Sequence, residues 1–199
     1  MPSRQSRTET TAANRRTVLA AARALFEERG FHGAAVDAIA ERAGFSEGVV
    51  YSQFGNKVEL FLAVLEANIA SRADGLADRA KTLRDRGGGA VDLNRFALAQ
   101  SRASLPWQAA LLEFRAQAWR DPELNARYRE LHARAVENVA SVVESVAPNV
   151  ALDARRAAVA LLAAATGLTL EALADPEFDL DRGFDDLVVL AVAHAEDKR

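Results

Sequence analysis

The 199-residue sequence has no cysteine, only five prolines and only three histidines. The absence of cysteine excludes thiol catalysis, disulfide bonds and cysteine-based zinc sites. The histidines are His32, His132 and His194, and none belongs to a Glu-x-x-His di-iron pair or a His-Glu-x-x-His zinc helix. No Gly-x-Ser-x-Gly elbow or dinucleotide fingerprint occurs either. We therefore expect a protein that is not an enzyme and that needs no metal or cofactor.

Long hydrophobic runs are also scarce. The N-terminal stretch MPSRQSRTETTAANRR contains no apolar segment, so we expect no secretory signal. Residues 157–174 are the most apolar, but they are mostly alanine and include Thr166, Gly167, Thr169 and Glu171. This composition favours a buried or interface helix over a membrane span. We expect a cytoplasmic protein that does not enter a membrane.

The residues that are abundant predict an all-α fold. Half of the residues are hydrophobic, which is enough to bury a core. Ala, Leu, Arg and Glu dominate, and all four are good helix formers. The net charge is −3, with a balance of +1 over residues 1–62 and −4 over the remainder. Attraction to phosphate would therefore be weak unless a few contacts were well placed.

Residues 36–54, VDAIAERAGFSEGVVYSQF, predict two short helices joined by a tight turn. Ala40 is small where two helices would cross, Gly44 suits a conformation that disfavours side chains, and Val50 can fill the angle between the helices. These features are typical of the helix-turn-helix, whose second helix lies in the DNA major groove. An ordinary αα-corner is the alternative for the spacing alone.

The flanking segments complete a small helical domain. Apolar residues from Val18 to Phe26 recur on one face of a helix that begins near Asn14, and Gly30 is expected to end it. Phe31 is expected to fold back into the core. After the two short helices, Asn56 is a good N-cap for a fourth helix that continues to about residue 85.

The segments LAAARALFEERGFHGAAV and DAIAERAGFSEGVVYSQFGNKVELFLAVL together resemble the DNA-binding domain of the TetR family of bacterial transcriptional regulators. The match covers roughly residues 15–66 and rests on Leu25, Phe26, Gly30, Phe31, Ile39, Ala40, Ala43, Gly44, Ser46, Gly48, Tyr51, Phe54, Lys57, Leu60 and Phe61.

Residues 1–14 are polar and lack apolar periodicity, so they predict a flexible arm. Arg4 or Arg7 of this arm would reach a minor groove or phosphates, although an ordinary disordered terminus is the alternative. The resemblance implies a helix-turn-helix domain at 15–62 and a larger helical ligand-binding and dimerisation domain at 63–199, with about nine helices in all. It further implies a homodimeric repressor that binds a pseudo-palindromic double-stranded DNA operator and is released by an apolar or amphipathic small-molecule effector.

The same resemblance assigns DNA contacts to the second motif helix and the residues around it. The predicted DNA-binding residues are Ser46, Glu47, Gly48, Val49, Tyr51, Ser52, Gln53 and Lys57. Two of them depart from the family pattern. Glu47 replaces a basic residue and could accept from a cytosine amino group, and Val49 replaces a threonine and suits a thymine methyl. Ala34 and Ala35 replace the threonines usual before the first motif helix, which removes an N-cap and a phosphate contact.

Further helices are predicted at Val91–Ala103, Pro106–Trp119, Pro122–Val146, Leu152–Ala174 and Asp181–Ala195. The last two carry apolar stripes that would form a four-helix seam between two copies, although burial within one copy is the alternative. The predicted dimer residues are Val159, Leu162, Ala163, Thr166, Phe184, Leu187, Val188 and Val192.

Aromatic and polar side chains are concentrated in three consecutive helices, as expected for a mostly apolar ligand pocket. The predicted ligand-binding residues are Phe96, Gln100, Trp107, Leu111, Phe114, Arg115, Trp119, Tyr128 and His132. For each of them a core or surface position without a ligand is the alternative. The alternative for the whole protein is a helical small-molecule carrier or adaptor that has lost DNA binding, which Glu47, Ala34 and Ala35 favour.

Overall fold

The computed structural model describes residues 4–85, 105–146, 153–183, 185 and 186. Across these ranges all regular structure is helical, which confirms the all-α prediction. Seven helices have complete bounds, and an eighth begins at Leu180. The seven are α1 (Arg4–Gly33), α2 (Val36–Ala43), α3 (Glu47–Phe54), α4 (Lys57–Asp85), α5 (Leu105–Ala118), α6 (Pro122–Val146) and α7 (Ala154–Ala174).

Local signals set several of these bounds where we predicted them. The Oδ1 atom of Asn56 accepts from the backbone N–H of Glu59 at 3.0 Å, so Asn56 is the N-cap of α4. Asp153 caps α7 in the same way, accepting from the N–H of Arg156 at 2.9 Å. Pro122 occupies the first position of α6, where a missing N–H costs nothing.

The expected flexible arm is replaced by helix, because α1 begins at Arg4. Residues 10–13 are exposed, so packing does not explain their helicity. No proline or glycine occurs between residues 3 and 29, and nothing in the sequence interrupts helix propagation from the packed part of α1. Gly30 breaks the helix as expected, since its φ of +72° and ψ of 175° are not helical.

The chain forms two compact units, Met1–Ile69 with Ala109–Leu131 and Ala70–Gln108 with His132–Arg199. The first, called the head unit here, therefore includes parts of α5 and α6 as well as the region expected at 15–62. Four phenylalanine rings cluster in its core. The Phe61 ring lies 4.9 Å from that of Phe26, 5.1 Å from that of Phe31 and 4.5 Å from that of Phe114.

The second unit buries residues of α6 and α7 against each other. Val136 and Ala140 of α6 form a buried cluster with Ala158 of α7, and Leu162 packs against it. Farther along α7, Leu168 and Phe178 pack against Leu180. Much of α7 nevertheless stays exposed: it is long and apolar enough to span a membrane by length and composition, yet only 17% of its apolar window is buried.

Candidate nucleic-acid interface

The turn between α2 and α3 has the geometry that the sequence predicts. Gly44 adopts the left-handed conformation with φ of +75° and ψ of 27°, which costs a glycine little. The N–H groups of Gly44 and Phe45 donate to the carbonyls of Glu41 and Ala40, both at 3.0 Å. These two bonds end α2 in a Schellman arrangement. The chain then turns sharply and α3 starts two residues later.

Helix α3 has one face in the head-unit core and one face in solvent. Val50 and Phe54 are buried and fix the helix to the core. Glu47, Gly48, Tyr51 and Ser52 are exposed, with 44% of Tyr51 accessible, and Val49 is half-buried. The structure thus brings most of the predicted DNA-binding residues together on one surface.

Ser46 and Ser52 are exposed but differ in how their hydroxyl groups are used. Ser46 occupies the N-cap position of α3, with extended φ and ψ, but its hydroxyl makes no capping bond to that helix. The Ser52 hydroxyl donates to the carbonyl of Val49 at 2.9 Å, which leaves its lone pairs to accept from another molecule. The hydroxyl of Ser46 therefore has more freedom than that of Ser52 to contact a phosphate.

Gln53 does not lie on the exposed side where we expected it. The residue is half-buried, and its Oε1 atom is buried without a hydrogen-bond partner among the described residues. Gln53 precedes the buried Phe54 and follows Val50 by three positions, so it lies at the edge of the buried face of α3. In this rotamer the amide oxygen cannot accept from an adenine edge.

Lys57 also differs from expectation, because its ammonium group is engaged within the head unit. Its Nζ atom donates to the carbonyl of His32 at 2.9 Å and lies 5.0 Å from the centre of the Phe31 ring. Burial lowers the pKa of Lys57, and the negative charge of Glu113 opposes that shift. The backbone N–H of Lys57, in the first turn of α4, has no acceptor within the helix.

The basic side chains near α3 are partly neutralised. Arg42 forms a two-point ion pair with Glu28, with one N···O distance of 2.8 Å. The pair lowers the pKa of Glu28 and raises that of Arg42. Arg15 is exposed, and its guanidinium lies 4.4 Å above the Phe54 ring at the end of α3. Arg15 was not among the predicted DNA-binding residues, because α1 and α3 are distant in sequence.

The described members of the predicted ligand-binding set lie in both units and differ in burial. Phe114 belongs to the buried aromatic core of the head unit, and the half-buried Tyr128 ring lies 6.3 Å from it, with the guanidinium of Arg115 over Tyr128. Trp107 is buried in the second unit, and Trp119 is 76% exposed. Leu111 is half-buried in the head unit, His132 is exposed in the second unit, and Phe96 and Gln100 lie outside the described residues.

A groove of about 360 Å³ lies elsewhere in the head unit, between the start of α4 and the turn that joins α5 to α6. It includes Lys57 and Arg127 but none of the predicted ligand-binding residues.

On α7, the exposed apolar residues extend farther than the predicted dimer stripe. Val159, Leu170 and Leu173 are 47%, 47% and 45% exposed. Ala163 is exposed and Thr166 is half-buried, but Leu162 packs into the core of its own unit. Leu170 and Leu173 were missed, although their spacing from Val159 indicates the same face. Phe184, Leu187, Val188 and Val192 lie outside the described residues.

Comparison with known proteins agrees with this fold. Residues 18–64 match the tetR family of bacterial regulatory proteins, and residues 89–188 match the C-terminal region of BetI-type transcriptional repressors. The chain is 44% identical over 59 residues to the transcriptional activator FasR of Mycolicibacterium smegmatis, and 38% identical over 61 residues to the transcriptional repressor AcnR of Corynebacterium efficiens. These alignments cover 30% and 31% of this chain but only 27% and 32% of the two relatives.

Solved structures extend the similarity to most of the chain. The transcriptional regulator FadR of Bacillus subtilis, in complex with stearoyl-CoA, superposes with a TM-score of 0.68 over 87% of this chain and 95% of FadR, at 17% identity. Such a low identity indicates a shared fold. Because the C-terminal match alone spans half of the sequence, and because the N-terminal match contains the helix-turn-helix described above, the chain belongs to the TetR family of bacterial transcriptional regulators.

Proposed function

We propose that this regulator binds a specific DNA operator through α3 and represses transcription until a small-molecule effector releases it. The observation that carries the proposal is the two-faced packing of α3. Val50 and Phe54 hold the helix in the core, while Glu47, Gly48 and Tyr51 remain exposed on the opposite side. A helix held in this way after a left-handed glycine turn has the shape required to enter the major groove.

The exposed residues suggest a division of roles. Glu47, Gly48 and Val49, at the start of α3, would lie near base edges, with Glu47 accepting from a cytosine amino group. Ser46, Tyr51 and the backbone N–H of Lys57 would contact phosphates, and Arg15 would add a positive charge at the end of α3. Because Glu47 repels phosphate and Arg42 is paired with Glu28, this interface depends on few positive contacts.

Selection of DNA sites tests this proposal. The protein would be incubated at low salt with a library of random duplexes of about 30 base pairs, long enough for two half-sites one helical turn apart. We expect enrichment of a pseudo-palindrome. Glu47→Gln should weaken the preference for cytosine at one position of each half-site by about 1–3 kcal/mol. Glu41→Gln removes the same charge at an exposed position of α2 and should leave the enriched sequence unchanged.

Two results would contradict the DNA-binding role. One is the absence of any enriched duplex even at low salt, which would favour the carrier or adaptor alternative. The other is wild-type affinity in Tyr51→Ala and Glu47→Gln variants together with an unchanged consensus, which would place α3 away from the DNA.

We also propose that α7 forms the seam of a homodimer. Val159, Ala163, Thr166, Leu170 and Leu173 follow a 4-3-4-3 spacing, which places them along one side of the helix. A continuous apolar stripe of this kind is expected to be covered by another surface. A second copy fits because the carboxylate of Glu171 on the same helix disfavours lipid, and because two recognition helices are needed to read two half-sites.

The dimer proposal has a matched pair of variants. Leu170→Glu places a charge in the seam and should give a monomer in sedimentation equilibrium at micromolar concentration. Leu161 is also exposed, at 39%, but lies two residues from Val159 and therefore on a different side of α7. Leu161→Glu should remain dimeric. A monomeric wild type, or wild-type protein that sediments with lipid vesicles, would contradict the proposal.

The effector is proposed to be apolar or amphipathic and to bind in the larger domain, which includes α7. FadR of B. subtilis, whose structure contains stearoyl-CoA, is consistent with this ligand class. A thermal-shift screen of acyl-CoA thioesters should identify a compound that raises the melting temperature and weakens operator binding.

We further propose that the protein is not an enzyme and acts in the cytoplasm without a cofactor.

A further inference from the structure

The backbone of His32 is held at both its polar groups by side chains distant in sequence. Its N–H donates to Oε2 of Glu113 at 2.9 Å. Its carbonyl accepts from Nζ of Lys57 at 2.9 Å. His32 lies in the short stretch between the Gly30 kink and the start of α2, and all three residues belong to the head unit.

Gly30 makes this arrangement possible. A Cβ atom at residue 30 would lie 2.2 Å from Oε1 of Glu113, which is far inside van der Waals contact. The carboxylate therefore lies directly against the backbone at the kink, in the space that a Cβ atom would occupy. The φ of +72° at Gly30 turns the following N–H groups out of the α1 axis, and the N–H of His32 meets the carboxylate.

Lys57 links the same point to the far end of the helix-turn-helix. Residue 32 lies four positions before α2 begins, and Lys57 is the first residue of α4, three positions after α3 ends. The bond from Lys57 to His32 thus joins the two ends of the motif. The Nζ atom of Lys57 lies over the Phe31 ring. The centre of that ring is 5.3 Å from the centre of the Phe114 ring, and Phe114 directly follows Glu113 in the sequence. We call Glu113, Lys57 and the His32 backbone the clamp.

We propose that Glu113 is a positioning residue for DNA binding, and that the Lys57 side chain acts with it to hold the helix-turn-helix closed instead of binding a phosphate. The inference rests on the proposed DNA-binding function. With the clamp intact, α3 is presented in one orientation relative to α1 and α4. When the clamp is broken, a smaller fraction of the protein has the orientation that can bind DNA. The apparent affinity for DNA then falls in proportion to that fraction.

Salt dependence separates positioning from phosphate contact. Each lost phosphate contact reduces the slope of log affinity against log salt by about 0.9. A lost positioning contact lowers affinity at every salt concentration without changing the slope. The variants are Glu113→Gln, Glu113→Ala and Lys57→Gln, measured by fluorescence anisotropy on the duplex that the wild type selects from the random library. Glu130→Ala, which removes an exposed carboxylate from α6 in the same unit, is the control.

We expect Glu113→Ala and Lys57→Gln to bind about 5- to 30-fold more weakly than wild type, with unchanged salt slopes. Glu113→Gln keeps an acceptor oxygen and should fall between wild type and Glu113→Ala, and Glu130→Ala should match wild type. The double variant Glu113→Ala/Lys57→Gln should lose less than the two single losses combined, because both side chains hold the same residue.

Hydrogen exchange provides a second readout that needs no DNA. The amide of His32 should exchange faster in Glu113→Ala and at the wild-type rate in Glu130→Ala. Three results would overturn the inference: a slope reduced by about 0.9 in Lys57→Gln, wild-type affinity in Glu113→Ala, or unchanged exchange at His32. If the wild type selects no duplex, the DNA-binding proposal itself fails, and the exchange result still reports whether the clamp exists.

Discussion

Replacing Gly30 by alanine should destabilise the protein through two separable effects. The first is backbone strain, because Gly30 has φ of +72° and ψ of 175°, a region that is almost restricted to glycine. The second is the loss of space, because the new Cβ would lie 2.2 Å from Oε1 of Glu113. The Glu113 carboxylate, at the end of a flexible side chain, must then shift away from residue 30, which weakens its bond to the N–H of His32.

The size of each effect follows from its cause. Backbone strain in this region costs about 1–3 kcal/mol. A hydrogen bond to a charged group contributes about 1.5–3 kcal/mol, and the half-buried position of Glu113 suggests the lower part of that range. We therefore expect Gly30→Ala to lower the free energy of unfolding by roughly 2–5 kcal/mol, with the upper end corresponding to complete loss of the bond to His32. Gly44→Ala is the matched comparison, since Gly44 also has positive φ but a Cβ there would meet no atom within 4 Å. Its cost should be limited to about 1–2 kcal/mol.

Urea unfolding followed by circular dichroism measures the free energy of unfolding of both variants. The protein concentration is kept fixed, because dimerisation would make the unfolding midpoint depend on it. A double-mutant cycle isolates the steric part: in a Glu113→Ala background, Gly30→Ala should cost only its backbone strain. Equal costs for Gly30→Ala and Gly44→Ala, or equal costs of Gly30→Ala in both backgrounds, would refute this account of the kink.

Three further predictions use the same assay. Asn56→Ala should cost about 1 kcal/mol because the cap to α4 is lost, whereas Ser46→Ala should cost almost nothing since its hydroxyl makes no capping bond. Phe61→Ala removes a fully buried ring and should cost about 3–5 kcal/mol, and a smaller loss would mean that the aromatic core can collapse. Arg127 lowers the pKa of Glu59 below its ordinary value of 4.5, so this ion pair stabilises the protein above that pH. Its contribution of about 0.2–1 kcal/mol should disappear as the pH falls through the lowered pKa of Glu59. In Glu59→Gln, the free energy of unfolding should therefore change less with pH over that range.

The helix boundaries were predictable because local chemistry sets them. Asn56 supplies the acceptor that starts α4, Gly44 supplies the left-handed residue that ends α2, and Pro122 fits only the first turn of α6. The start of α1 was not predictable in this way. Residues 4–14 have no apolar periodicity, so their helicity depends on continuation from the packed residues that follow.

The predicted ligand-binding residues stay a prediction, because a sequence pattern does not separate a pocket position from a core position, and that choice depends on how helices pack. Phe114 and Trp119 lie on or next to the same helix, five residues apart, and both are aromatic. One is fully buried against Phe31 and Phe61, and the other is 76% exposed. Periodicity identifies a helix face, but it does not specify which partner that face meets.

Lys57 illustrates why a role inferred from resemblance can differ from the role that contacts support. Its position at the start of α4 matches a family phosphate contact, and the backbone N–H there retains that capacity. The ammonium group, however, donates to the carbonyl of His32, twenty-five residues earlier, and feels the negative charge of Glu113, more than fifty residues later. No short sequence window contains all three residues. The salt slope of Lys57→Gln therefore distinguishes two roles that the motif alone cannot separate: an ammonium bound to phosphate gives a reduced slope, and an ammonium held in the clamp gives weaker binding at an unchanged slope.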